Sequence, residues 1–273
     1  MNKLLTSFFL ILICGVLNAQ ELQPIELVEK VFTDKRFAKK TSRFSTGEYK
    51  GRPNANDLGE KTNLNFRLIS QSESSAVVNI TIIDSLGNGI DTYVHLKKNK
   101  KWRIEAFRAL AMTGIIEQVK SEFEALTEIQ VDSLIKVDNE NFKSKKDFYR
   151  ELGNIKLTLA LDETIIEHFK ENKEEFEKIR KELLNVEIDK DDQSYGKINL
   201  GKEINSDYKD LLLQSISTSY HCEDCIEFVI GGMIDNTVGY LYIPSAQLIP
   251  KMNPSRLIML REIGNGWYIF KTT

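Results

Sequence analysis

The hydrophobic residues of this chain change their spacing several times, and these changes divide it into helical and extended segments. The first periodic segment follows Gln23, where apolar residues recur every three or four positions, as on one face of a short helix. Its apolar residues are Ile25, Val28, Val31 and Phe32. Four segments rich in β-branched and aromatic residues come next, and several alternate apolar with polar positions. We predict strands at 63–70, 75–84, 90–97 and 101–107.

Short polar loops join these four strands. Gly87 and Gly89 lie between the second and third strands, and glycine adopts positive φ without a steric penalty, as a tight antiparallel turn requires. The pattern therefore predicts an antiparallel meander. Apolar residues then return to a spacing of three or four between Ile116 and Gln130, which predicts one long helix over residues 114–135.

The second half of the chain repeats this order of a helix followed by strands. The stretch 136–146 is polar and is interpreted as a surface connection. A helix is predicted over 161–184, with Asp162 accepting a hydrogen bond at its amino end. Its apolar stripe consists of Ile165, Ile166, Phe169, Phe176, Ile179 and Leu183. The sequence KDDQS at 190–194 ends the pattern, and strands are predicted within 210–218, 225–232, 238–244, 255–263 and 266–272, the last pair joined by Gly264-Asn265-Gly266.

These elements predict an α+β protein of two units, each a helix packed on a curved antiparallel sheet, joined by a helical segment. The expected divisions are a signal peptide at 1–19, an N-terminal domain at 20–137, a connecting segment at 138–160 and a C-terminal domain at 161–273. Each half contains a late strand that begins at a tryptophan, Trp102 or Trp267. An internal duplication is therefore one hypothesis for the origin of the chain.

The amino terminus has the pattern of a secretory signal peptide. Lys3 precedes an apolar run, and Ala19 offers a cleavage site before Gln20. The run is shorter than the ~20 residues that a membrane-spanning helix needs. A lipid anchor at Cys14 is disfavoured because the bulky Ile13 precedes it. We expect an exported protein, periplasmic or secreted, with no membrane span after cleavage.

Composition and charge limit the classes of partner. With 41% hydrophobic residues and five prolines, the chain can form a substantial core. Removal of Lys3 with the signal peptide changes the formal net charge from −3 to −4, which disfavours general nucleic-acid binding. The basic clusters at 97–101 and 143–146 are interpreted as solvated turns.

Two families provide resemblances. The stretch DTYVHLKKNKKWRIEAFRALAMTG, at 91–114, resembles the nuclear-transport-factor-like or cystatin-like α+β superfamily, in which a helix lies in the concave face of a bent sheet. The stretches DETIIEHFKENKEEFEKIRKELL and GNGWYIF resemble an uncharacterised secreted bacterial protein family that pairs such a helix with a terminal tryptophan-tyrosine strand. Neither resemblance supplies catalytic residues, since members of the superfamily range from isomerases to binding modules.

Cys222 and Cys225 are the only cysteines that remain after cleavage, and three roles are open to them. A redox centre is disfavoured because Glu223 and Asp224 would repel a thiolate and strand-like residues follow. A zinc site could use His221, Cys222 and Cys225, but a structural zinc site usually has four ligands. The favoured role is a local disulfide or an inert reduced pair.

The remaining chemistry supports three hypotheses for function. The first is a non-catalytic binding or accessory protein of a bacterial envelope, which needs no cofactor and recognises a small molecule or an envelope protein. The second is a hydrolase or isomerase with a pocket in the first unit, and the third is a metal or redox protein using the two cysteines. The pocket candidates are Asp91, His95 and Glu105, and the aromatic candidates for ligand binding are Tyr240, Tyr242, Trp267 and Tyr268.

Overall fold

The structure is a computed structural model, and it describes residues 21–137, 141–183, 204 and 208–273. The expected signal peptide and the KDDQS segment lie outside the described residues. Two antiparallel sheets, of four and five strands, account for the extended segments, and seven α-helices lie among the described residues. The prediction of an α+β fold built from two sheet-based units is confirmed.

The first unit is a meander with a helix on one face. Its sheet has the order β1-β2-β3-β4, as expected from four strands joined by short turns. Gly87 has a φ of +87°, whereas Gly89 begins β3. The elements are α1 (Pro24–Thr33), α2 (Lys35–Ala38), a 3₁₀ turn (Thr41–Phe44), β1 (Asn63–Gln71), β2 (Ser75–Ile83), β3 (Gly89–Lys98) and β4 (Trp102–Ala109).

Helix α1 begins at a capping box and buries one face. Gln23 donates its backbone N–H to Glu26 Oε2 at 2.9 Å, and Pro24 occupies the first helical position. The buried face of α1 places Val28 and Phe32 in a core shared with β2, β3 and β4. The other face of this sheet packs toward the second unit.

The single long helix predicted over 114–135 is wrong, because the structure divides it into α3 (Thr113–Glu124) and α4 (Glu128–Val137). The division occurs at Thr127, whose backbone N–H donates to Gln130 Oε1 at 2.8 Å. Threonine followed by glutamine three positions later is a helix-start signal, and here it outweighs the continuous apolar period.

The connecting segment 138–160 contains a packed helix. Residues 138–140 lie outside the described residues, but α5 (Lys145–Thr158) begins at Ser144, whose side chain accepts from the backbone N–H of Asp147. Phe148 and Leu152 of α5 are buried and form a small core with α3 and α4, and α5 also packs on the second sheet. Helix α5 therefore begins at the end of the stretch 136–146 that was expected to be a surface connection, and the segment that joins the two units contains a helix, as the predicted fold has it.

The second unit places two helices on a five-stranded sheet of order β5-β6-β7-β9-β8. All six residues of the predicted apolar stripe are buried, although the helix is divided at Asn172. This strand order differs from the simple meander of the first unit, so the two sheets do not share one topology. The elements are α6 (Asp162–Glu171), α7 (Lys173–Leu183), a 3₁₀ turn (Tyr208–Leu211), β5 (Ser215–Thr218), β6 (Ile226–Met233), β7 (Asn236–Tyr242), a 3₁₀ turn (Ala246–Leu248), β8 (Leu257–Gly264) and β9 (Trp267–Thr272).

Both faces of the second sheet are apolar. One face packs on α6 and α7, and the other carries a smaller apolar layer against the loops near Cys222 and Met252. Gly264, Asn265 and Gly266 all have positive φ and form the predicted last turn. Across the described residues, no helix is both long and apolar enough to cross a membrane.

Candidate ligand-binding cleft

A buried ion pair lies where the two units meet. Lys271 Nζ on β9 is 2.8 Å from Oδ1 of Asp162, the first residue of α6, and the side chains are only 5% and 2% exposed. Tyr93 of β3 is fully buried and donates its hydroxyl to the same carboxylate at 2.8 Å. Burial, together with this carboxylate, raises the pKa of Tyr93 well above its ordinary value, so the phenol remains a donor. One carboxylate therefore binds a side chain from each sheet.

Asp162 does not cap its own helix as predicted, because its side chain is used in this ion pair and Leu161 occupies the N-cap position. The cap comes from the first unit. Asp91 Oδ2 accepts the backbone N–H of Asp162 at 2.6 Å, at a helix end where N–H groups lack partners and a negative charge is favourable. Thr81 and Asn79 of β2 donate to the other oxygen of Asp91 at 2.5 Å and 3.0 Å.

Further contacts between the units lie nearer the surface. Glu163 Oε1 accepts from Arg67 of β1 at 2.7 Å and from Arg261 of β8 at 2.9 Å. Exposed ion pairs of this kind contribute little on their own. On β4, Arg108 Nε donates to the carbonyl oxygen of Pro254 at 2.6 Å. The buried network is therefore the main polar link that fixes one sheet against the other.

An open cleft of about 720 Å³ has walls from both units. The first wall is residues 69–75, the end of β1 and the turn into β2, and the second is residues 249–252. Leu260, Glu262 and Tyr268, from β8 and β9, form the base. Its volume is in the usual range of small-molecule and cofactor sites. We call it the inter-unit cleft.

Local hydrogen bonds shape both walls. Ser72 Oγ accepts the backbone N–H of Ser75 at 3.1 Å, while Ser72 N donates to the Ser75 carbonyl at 2.8 Å, which closes the β1–β2 turn. On the opposite wall, Met252 Sδ accepts the backbone N–H of Leu260 at 3.1 Å. This contact holds the loop against the edge of β8.

Tyr268 is the most informative residue of the cleft. It is 8% exposed, since its ring packs in the smaller apolar layer of the second sheet. Within the described part of the chain, its hydroxyl makes no hydrogen bond to the protein. The ring is buried, but the hydroxyl is accessible from the cleft, where solvent or a ligand can bond to it. Desolvation and the neighbouring Glu262 carboxylate raise the pKa of Tyr268, so the hydroxyl remains protonated near neutral pH.

Three charged groups line the cleft: Glu73, Lys251 and Glu262. None of them forms an ion pair or side-chain hydrogen bond with another described residue. Glu262 is directly opposite Tyr268 in the β8–β9 pairing, so their side chains share a face of the sheet. The base of the cleft therefore offers a carboxylate and a phenol side by side.

The other predicted aromatic residues have different environments. Tyr240 and Trp267 are fully buried against α6 and α7, so their rings are not accessible to a ligand from solvent. Trp267 Nε1 donates to Glu177 Oε1 at 2.8 Å, and Tyr240 donates to the carbonyl oxygen of Ile165 at 2.9 Å. Tyr242 is half-buried beside Trp267. Of the four predicted residues, the structure places only Tyr268 in this cleft.

Cys222 and Cys225 form a disulfide, with their sulfur atoms 2.08 Å apart. A disulfide sulfur carries no thiolate charge, so in this state the pair cannot act with His221 as metal ligands. Across the described residues, no group of three or more histidine, cysteine or acidic side chains is arranged to hold a metal ion. His221 instead lines a separate cleft of about 710 Å³ with Asp235 and Arg256.

The three residues proposed for a catalytic pocket are not brought together. Asp91 is buried in the junction described above. His95 is 3% exposed, and its Nε2 lies 3.0 Å from the carbonyl oxygen of Ile258; burial lowers its pKa to about 4, so the neutral ring donates this hydrogen bond. Glu105 forms an ion pair with Lys97. These three residues therefore do not form the acid–base arrangement that the enzyme hypothesis requires.

Sequence patterns alone did not identify the residues of the cleft other than Tyr268. The predicted Gly264-Asn265-Gly266 hairpin already implied that a residue near Glu262 faces Tyr268. The walls at 69–75 and 249–252 gave no comparable signal, because they are a strand end with its turn and a loop, and their proximity depends on how the units pack.

No protein-family model matches this chain, and no curated protein or solved structure is significantly similar to it. The resemblance to the nuclear-transport-factor-like or cystatin-like superfamily therefore stays an expectation, as does the resemblance to a secreted bacterial family.

Proposed function

We propose that this protein is exported to a bacterial envelope and acts there as a non-catalytic binding or accessory protein. Its partner, a small molecule or an envelope protein, occupies the inter-unit cleft. The observation that carries this proposal is the hydroxyl of Tyr268, which is held at the base of the cleft without a protein partner. This hydroxyl is not one of the buried unsatisfied polar atoms of the described residues, so it is accessible from the cleft, where it can donate to or accept from a bound partner.

Two further features support the proposal. The cleft combines apolar residues with hydroxyl, amide and charged groups, which is the usual composition of a recognition site. The Cys222–Cys225 disulfide is compatible with export, because disulfides persist in oxidising compartments. N-terminal sequencing of the protein purified from its native envelope tests the location, and we expect a chain that begins at Gln20. A full-length chain in the cytosol would contradict export.

Photo-crosslinking from the wall of the cleft tests the binding role. We would replace Gln71, an exposed residue of the first wall, with p-benzoylphenylalanine and irradiate the exported protein in its native cells. The matched control carries the same group at Glu29, an exposed residue of α1 on the face of the first sheet that points away from the second unit. We expect discrete adducts, resolved by mass spectrometry, from position 71 alone. No adduct, or the same adducts from both positions, would refute the proposal.

A further inference from the structure

The chemistry of the cleft base narrows the class of ligand. Glu262 presents a carboxylate that has no ion-pair partner among the described residues, and the Tyr268 hydroxyl lies on the same face of the sheet beside it. A carboxylate accepts hydrogen bonds but donates none, while a phenol can do both. The group that best satisfies both is a cationic donor.

Apolar surface surrounds this polar pair. Leu260 is 6% exposed and lies at the base, while Ile69 and Met252 contribute from opposite walls. A long aliphatic stem can bury its methylene groups against such surface while its charged end reaches the polar pair, at about 0.8 kcal/mol per buried CH₂. The stem and the end group together describe a primary ammonium on a flexible aliphatic chain.

We propose, on the premise that the inter-unit cleft is the binding site, that it receives a lysine side chain of a partner polypeptide, with the ammonium group between Glu262 and Tyr268. Lysine fits better than arginine, because the base offers one carboxylate and one phenol rather than two acceptors arranged for the planar guanidinium fork. A polypeptide fits better than a free amine, because the cleft of about 720 Å³ leaves room for flanking backbone. The serine hydroxyls and Gln71 of the first wall can bond to that backbone.

The charges that line the cleft agree with an ammonium group placed between Glu262 and Tyr268. Two carboxylates, Glu73 and Glu262, face one ammonium, Lys251. Lys251 and Glu262 are both exposed, so solvent screens the repulsion from Lys251 and the attraction to Glu262 alike. The formal net charge of −4 that the chain carries without the signal peptide also favours approach of a basic partner.

Titration with matched tripeptides tests the inference. The probe is acetyl-Ala-Lys-Ala-amide, and its control replaces lysine with norleucine, which keeps the four-carbon stem without the ammonium. Binding is followed by methyl NMR of Met252 and Ile69. We expect the lysine peptide to bind about tenfold more tightly, corresponding to about 1.4 kcal/mol. Equal affinity for the two peptides would overturn the inference.

Variants assign the effect to the two residues at the base. Glu262→Gln is expected to abolish the preference for lysine over norleucine, and Tyr268→Phe to reduce it several-fold while keeping the ring. Glu29→Gln removes the same charge outside the cleft and is expected to leave the preference unchanged. An unchanged preference in Glu262→Gln would overturn the inference, and an unchanged unfolding midpoint shows that this variant is folded.

Two further ligands, n-butylamine and an arginine peptide, test the choice of lysine, and comparison with the crosslinking experiment separates this inference from the proposed function. If n-butylamine binds as tightly as the lysine peptide, or an arginine peptide binds more tightly, the commitment to a lysine side chain is overturned. If the Gln71 crosslinker captures a partner but the lysine peptide leaves the methyl signals unchanged, the lysine inference fails and the binding function stands. If neither experiment gives a signal, both fail.

Discussion

Replacing Asp162 with asparagine should destabilise both units, because it removes the charge that compensates buried Lys271. The ammonium and the carboxylate are 2.8 Å apart, and their side chains are 5% and 2% exposed. Asparagine keeps the size of the side chain and an oxygen that accepts the hydroxyl of Tyr93. The lysine is left buried and uncompensated, a change that typically costs about 3–5 kcal/mol.

A double-mutant cycle isolates the pair. Lys271→Met alone leaves the carboxylate without its cation and should also destabilise the protein by several kcal/mol. The double variant Asp162→Asn/Lys271→Met removes both charges, and we expect its stability to return to within about 1 kcal/mol of the wild type.

Urea unfolding followed by tryptophan fluorescence provides the assay, since Trp102 and Trp267 are buried in the first and second units. In variants that retain only one tryptophan, we expect Asp162→Asn to lower the midpoint reported by either residue. A cost below about 1 kcal/mol, or a double variant no more stable than the single ones, would refute the reasoning. A lower urea midpoint reported by Trp267 alone would show that the junction does not couple the stability of the two units.

Three further changes test other parts of the structure. Burial lowers the pKa of His95 from 6.5 to about 4, so between these pH values the unfolded chain binds a proton that the folded chain does not. The free energy of unfolding, measured with urea, should therefore fall by up to about 3 kcal/mol as the pH decreases from 6.5 to 4. His95→Gln should flatten this part of the pH profile. Reduction of Cys222–Cys225 opens a ring with a sequence separation of three, so chemical denaturation should show a loss of no more than about 2 kcal/mol, and a larger loss would contradict this account. Gly239→Ala would place a Cβ 2.3 Å from the carbonyl oxygen of Phe228, and we expect severe destabilisation in thermal unfolding, whereas a wild-type midpoint would contradict the close strand packing.

The strands and the buried stripes were predictable because their signals are local. Alternation and β-branched residues located the nine strands found in the described part of the chain, and the stripe from Ile165 to Leu183 correctly identified the helical face on the second sheet. The long helix failed at Thr127 because the apolar period continues through a capping signal of only four residues.

The role of Asp162 could not be predicted, because an acidic residue at a helix start normally caps that helix. Here the partners Tyr93 and Lys271 come from two different sheets, and only packing brings them together. Exposure of Trp267 was equally undecidable, since alternation gives the face of a strand but not what covers it. The inter-unit cleft depends on the same packing, which explains why only Tyr268 was identified in advance.

A crystal structure of the protein with acetyl-Ala-Lys-Ala-amide tests the central claim most directly. We predict that the lysine ammonium lies within about 3.2 Å of both a Glu262 carboxylate oxygen and the Tyr268 hydroxyl, with the peptide backbone between the two walls. A peptide bound elsewhere, for example beside Arg256 and His221, with the inter-unit cleft empty, would contradict the account.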